Sequence, residues 1–250
     1  MRTRTVPRPG AASLAVRDLL EGAPSPGRVV AVFPTCVYAE VAGRLVSVET
    51  SDALRLPCAV VLPDRAHSLP LAGVLPGHHV LAGHRRLHVG AVTVEVARWW
   101  APARPRCTVP RPPGRQASAT SDWDPFVLGL LGLGPGLTPA GDDLLAGLLV
   151  GLAGRPELRD PLADAVARHA TGRTTWLSAE LLRLAADGLA APAVVTVADA
   201  LAGHGTDDAL TDAVHALLAV GHSSGPALAC GLLLAAETSL AHPSDTWEAA

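Results

Sequence analysis

The 250-residue sequence contains no lysine; all 20 of its basic residues are arginine. This absence excludes Schiff-base catalysis and any phosphate loop ending in Gly-Lys-Ser/Thr. Aromatic residues make up only 3% of the chain, too few for the stacking platforms of single-strand nucleic-acid binders. The net charge of −3 leaves no basic footprint, so no nucleic-acid partner is expected. The four cysteines (Cys36, Cys58, Cys107 and Cys230) never fall at C-x-x-C spacing, which predicts reduced thiols in a cytoplasmic protein. No apolar run reaches the ~20 residues of a membrane span, and the arginine-bearing N-terminus lacks the apolar region of a secretory signal. No membrane partner is expected. Neither H-E-x-x-H nor G-x-S-x-G occurs. His78, His79, His84 and His88 cluster, but not at zinc spacing. No metal and no cofactor are therefore expected.

What is present is a large apolar fraction, 49% of the chain, with a mean hydropathy of +0.30. That suffices for a substantial core. Residues 1–100 read as a β-rich region. A short helix closes at Glu21, "RVVAVFPTCVYAEV" and "RLVSVE" flank a turn at Gly43, "CAVVLP" follows, and two strands break near Gly83 to Arg86. Residues 101–121 are rich in proline and arginine and read as a linker or surface loop. Residues 122–250 read as helical, with helices over 125–131, 139–152, 157–170, 175–187, 193–202, 207–220 and 224–239. The expected class is α+β, an N-terminal β-rich region packed on a C-terminal, mainly helical domain.

The segment "GLGPGLTPAGDDLLAGLL" begins at Gly132. Gly134 and Gly136 allow backbone to approach a ligand. Thr138 suits an N-cap and Pro139 the first helical position. A glycine-rich loop entering a helix start is an anion site in principle, because free amides and helix dipole point the same way. Period 3.6 puts Asp143 nearly opposite the leucine stripe of this helix and Asp142 at its flank. Solvated first-turn carboxylates are one reading. General-base work, metal binding or the holding of a substrate amide are the others.

A second junction, "VGHSSGPALACGLLLA", repeats the design. Ser223 or Ser224 suits a cap, Gly225 and Pro226 fall in the first turn, and His222 adds a titratable group. The two helix starts are expected to converge on one anion. Between them, Thr174 or Thr175 suits the cap of a helix carrying Ser178. Arg173 is the best-placed guanidinium for a carboxylate or phosphate.

Taken in order, "GLGPGLTPAGDDLLAG", "TTWLSAELLRLAADG" and "GHSSGPALACG" resemble a bacterial family that includes the AllH-type subunit of oxamate carbamoyltransferase, from allantoin and purine degradation. The resemblance maps Gly134, Gly136, Leu137, Thr138, Gly141, Asp142 and Asp143 onto the signature loop. Thr175 and Ser178 fall in the middle motif, and Ser223, Ser224 and Gly225 in the last. It implies carbamoyl transfer between carbamoyl phosphate and a small amide or carboxylate such as oxamate, within a hetero-oligomer. Asp142 and Asp143 would then be catalytic, and the loop, Arg173, Thr175, Ser178 and the His222–Gly225 turn would hold anionic substrate. Two rival readings are a non-catalytic, anion-binding or structural subunit, and a magnesium-dependent phosphotransferase built on the aspartate pair.

Overall fold

The computed structural model describes residues 6–106, 123–204 and 207–240. The protein is of mixed α+β class and divides into two compact units, residues 1–103 and 104–250.

The first unit is a closed eight-stranded barrel. Its strands are β1 (Arg8–Ser13), β2 (Ser25–Val32), β3 (Cys36–Val41), β4 (Arg44–Glu49), β5 (Ala59–Val61), β6 (His79–Gly83), β7 (Arg86–Val89) and β8 (Val92–Trp100). They close in the order β1-β5-β4-β3-β2-β6-β7-β8, with β1 parallel to β8. Alternation explains the wall. Val92, Val94 and Val96 are buried, whereas Glu95 between the last two is exposed. The turn expected at Gly43 joins β3 to β4 through Ala42 and Gly43, both at positive φ (49° and 77°). This is the handedness that two-residue hairpins require. The expected two strands after His79 are three, because Val89 and Val92 pair across a second tight turn at Gly90–Ala91. β1 escapes the sequence pattern because "RPGAAS" has no β-branched residue; barrel closure makes it a strand. The short helix α1 (Arg17–Glu21) follows it.

The second unit is helical: α2 (Asp124–Leu130), α3 (Ala140–Gly151), α4 (Pro156–His169), α5 (Trp176–Ala186), α6 (Pro192–Leu201), α7 (Asp207–Leu218) and α8 (Ser224–Leu240). Each lies within two residues of its expected bounds, since Pro and Gly punctuate nearly every junction. Residues 101–106 carry no regular structure, and 107–122 of the expected linker lie outside the described residues. The start of that stretch is tied to its own unit. Arg104 donates to the Asp187 carbonyl (2.8 Å), and the Arg106 amide donates to Asp199 (2.7 Å). Among the described residues, no helix is long and apolar enough to cross a membrane. Cys36 and Cys58 are buried free thiols and Cys230 is an exposed one; Cys107 lies outside the described residues.

α3 is the central helix of this unit. It packs on α8 above all, and also on α5, α2, α4 and α6. Glycines set the α3–α8 crossing. A Cβ on Gly147 would lie 2.2 Å from the Leu228 carbonyl oxygen, and one on Gly231 would lie 2.1 Å from that of Leu144. A Cβ on Gly151 would lie 2.5 Å from the Ala235 methyl. Backbone therefore packs on backbone, closer than any side chain permits. Thr138 meets Ser224 at one end and Gly151 meets Ala235 at the other, so the two helices run in the same direction with their N-termini side by side.

Candidate functional site

The parallel pairing of α3 and α8 brings the two glycine-punctuated junctions together. The hydroxyls of Thr138 and Ser224 lie 3.0 Å apart. Thr138 thus departs from its expected capping role. The helix starts one residue later than the sequence suggests, Pro139 occupies the cap position, and no side chain caps it. The loop caps its own helix instead. The Gly141 amide donates to the Leu133 carbonyl (2.9 Å), and the Asp142 and Asp143 amides donate to the Pro139 carbonyl. At α8, the Gly225 amide donates to Val220 and the Ala227 amide to Ser223. Of the expected amide donors, those of Ala140 and Ser224 have no acceptor among the described residues.

Close approach accounts for the glycines. Gly132, Gly134 and Gly136 all have positive φ (75°, 113° and 100°). A Cβ on Gly132 would strike the Arg173 carbonyl oxygen at 2.2 Å, and one on Gly141 the Leu130 carbonyl oxygen at 2.0 Å. A Cβ on Gly225 would strike the Leu217 carbonyl oxygen at 2.0 Å. Gly136 instead faces open space, so only its conformation calls for glycine. Leu137 is exposed, and its carbonyl accepts from the Thr175 hydroxyl.

The two aspartates are not solvated first-turn carboxylates. Asp142 is 1% exposed and Asp143 is 8% exposed. Period 3.6 misjudges them because a helix surrounded on all sides has no solvent face. Their surroundings differ sharply. Asp142 accepts from the Gly132 amide (2.9 Å), the Ser178 hydroxyl (2.7 Å) and the Thr174 hydroxyl. It fastens the signature loop and the start of α5 to α3. Thr175 does cap α5, accepting from the Ser178 amide at 3.0 Å, while its own hydroxyl reaches the loop. Ser178 is 2% exposed and spends its hydroxyl on Asp142. Thr174, named in the sequence only as an alternative cap, is the participant that sequence reasoning missed.

Asp143 has no such shell. Its Oδ2 is buried without a hydrogen-bond partner. Burial pushes the carboxyl up to about 6; the Ser224 hydroxyl opposes the rise, the Asp142 charge adds to it and the Thr138 hydroxyl opposes it. The acidic pair thus holds two differently placed groups: Asp142, tied down by three donors, and Asp143, which burial pushes towards its protonated form.

The remaining expected residues stand further off. Arg173 is exposed, and its carbonyl borders Gly132. His222 and Ser223 lie in the turn preceding α8, His222 exposed and Ser223 half-buried, and no described hydrogen bond ties His222 to either carboxylate. Among the described residues, no three His, Cys, Asp or Glu side chains group together as a metal site.

Residues 130–236 match the family described as oxamate carbamoyltransferase subunit AllH. Comparison with curated proteins and with solved structures gave no match. The matched span holds the signature loop, both aspartates, the Thr174–Ser178 segment and the turn before α8, so this helical segment is similar to the AllH family.

Proposed function

We propose that the chain is a subunit of a carbamoyltransferase acting on carbamoyl phosphate and oxamate, and that the paired starts of α3 and α8 form its reacting centre. The observation that carries this reading is the unpartnered, buried Oδ2 of Asp143 beside two hydroxyls, one from the loop before α3 and one from the start of α8. In the direction of transfer, the amide nitrogen of the acceptor attacks the carbamoyl carbon. The C–N bond forms, the C–O bond to phosphate breaks with its electron pair leaving on phosphate, and the nitrogen gives up a proton. Asp143 takes that proton as general base. In the reverse direction the protonated carboxyl returns it to the departing nitrogen. A group that titrates near 6 serves both directions close to neutral pH.

The Ala140 and Ser224 amides and the Thr138 and Ser224 hydroxyls offer neutral donors for the oxyanion of the carbonyl or for phosphate, where two helix dipoles add their positive ends. Arg173 is the nearby cation that suits a carboxylate. Asp142 is assigned a positioning role, since three donors already occupy its oxygens. That also favours proton transfer over the magnesium reading, which would need the pair as ligands. As a subunit of oxamate carbamoyltransferase, the chain would work in a hetero-oligomer.

The test is Asp143→Asn in the assembled transferase. Product formation should fall by about 10²- to 10⁴-fold, while calorimetric binding of phosphate persists. Undiminished turnover would refute the assignment. Loss of binding with no change in bound-state turnover would instead support the anion-binding, non-catalytic reading.

A further inference from the structure

The barrel unit carries an open cleft of about 350 Å³, walled by β1, β5 and β8 and by the loop after β4. Its floor is aliphatic and small: Gly10, Ala11, Val61 and Ala97. Its polar residues are Ser51, Arg55 and Arg98, with no carboxylate in the lining. The volume falls within the range of small-molecule sites.

A strand irregularity creates this lining. Along β8, Val92, Val94 and Val96 turn into the barrel, and strict alternation would send residue 98 inward as well. The register with β1 slips at this point: Gly10 pairs with Val96 but Ala11 pairs with Arg98, which leaves Ala97 as an extra residue. The bulge puts Arg98 on the exposed side next to Ala97. Bulges that re-aim a side chain in this way recur beside functional sites.

Arg55 is held from the opposite side at a conformational cost. Its φ is 62°, in the left-handed region that a residue with a Cβ seldom adopts. The loop that carries it is pinned by the buried Glu49, whose two oxygens accept from the Leu56 amide at 3.1 and 3.2 Å. Its guanidinium lies 5.9 Å from the Trp100 ring centre. The Trp100 ring is itself fixed by donation to the Ala11 carbonyl (3.2 Å). Among the described residues, neither Arg55 nor Arg98 forms an ion pair. Two guanidiniums, one strained and one re-aimed, thus line a small cleft whose lining holds no carboxylate; Glu49, outside the lining, is the acidic group that acts on Arg55.

We infer that the barrel binds a small organic anion in this cleft, its phosphate or carboxylate between Arg55 and Arg98 and its apolar body on the Gly10–Ala11–Val61–Ala97 floor. This site is separate in its residues from the one on α3 and α8, and it stands or falls independently of the carbamoyl-transfer reading.

The test is calorimetric titration of the full chain at low salt with phenyl phosphate, with benzoate to compare the two head groups and benzyl alcohol as the uncharged control. Phenyl phosphate or benzoate, but not benzyl alcohol, should bind and change tryptophan emission through Trp100. Arg98→Ala and Arg55→Gly should each weaken binding about tenfold or more. Glycine at 55 also removes the strain, so that variant keeps the fold. Arg28→Ala, on β2, should bind as the parent does; the Thr138→Val/Ser224→Ala double variant removes any contribution from the α3 and α8 starts, and in that background Arg98→Ala should still weaken binding. No binding by either anion, equal loss in Arg28→Ala, or loss only in the Thr138/Ser224 variant would overturn the inference.

Discussion

The hydroxyls of Thr138 and Ser224 meet at 3.0 Å although 86 residues separate them in sequence. The meeting follows from the glycine crossing between α3 and α8, which aligns the two helix starts. It places Asp143, one turn into α3, beside both hydroxyls, and the proton chemistry proposed here depends on that placement.

The crossing itself is open to test. Gly231→Ala adds a methyl that would have to sit 2.1 Å from the Leu144 carbonyl oxygen. The helices must separate, at a cost of roughly 1–3 kcal/mol or more for an overpacked core. Chemical denaturation should show this loss, and activity should fall with it as the two junctions part. Gly136→Ala is the contrasting case. It meets no atom, but φ there is 100°, so the cost is conformational alone, about 1–3 kcal/mol.

Asp142 should behave as a structural carboxylate. Asp142→Ala leaves the Gly132 amide and the Thr174 and Ser178 hydroxyls without their acceptor, at roughly 1–3 kcal/mol for each group that stays dry. Urea unfolding should place this variant well below the parent at every pH where the parent is folded. A variant of parental stability would show that the loop is held by other means.

Asp143 should show the opposite behaviour. Its folded-state carboxyl is raised to about 6 from an ordinary value of 3.8. Between those values the folded protein binds more protons than the unfolded chain, so stability falls as pH rises from about 4 to about 6. The contribution is fully lost above 6, and amounts to roughly 3 kcal/mol. Asp143→Asn removes the buried charge. Its stability should exceed the parent's at pH 7, match it near pH 3.5, and lose this slope in between. The difference between the two curves isolates Asp143 from other carboxyls, such as Asp124, which its pairing with Arg168 holds low. Parallel curves would show that Asp143 ionises normally.

The sequence revealed the helices and most strands because proline and glycine punctuate the chain and strand periods are clear. It located the two junctions but not how they work. Thr138 looked like a cap because Thr-Pro starts helices; only the fold shows the loop carbonyl of Leu133 already occupying the Gly141 amide. Asp143 looked solvated because a period assumes one buried face, and α3 has none free. Arg98 was silent for a related reason, since a one-residue bulge reverses the parity of everything after it and leaves no mark in composition. Each miss is a case of tertiary contact overriding a local rule.

The two hydroxyls beside Asp143 temper the rise that burial imposes on it, which gives the most direct link between the geometry and the chemistry. Ser224 and Thr138 both act to lower the carboxyl, against the larger effect of burial. Ser224→Ala should therefore raise it further, and Thr138→Val should do the same to a smaller degree. Where turnover requires the ionised carboxylate, the acid limb of the kcat/KM profile should move to higher pH in both variants, with the larger shift in Ser224→Ala. The plateau at high pH should change less than the limb unless the hydroxyl also contacts substrate, in which case both fall. Ser224→Thr, which restores the oxygen, should bring the limb back towards its original position. An acid limb that stays fixed in Ser224→Ala would mean that some other group limits the reaction, and the assignment of Asp143 as the base would fail.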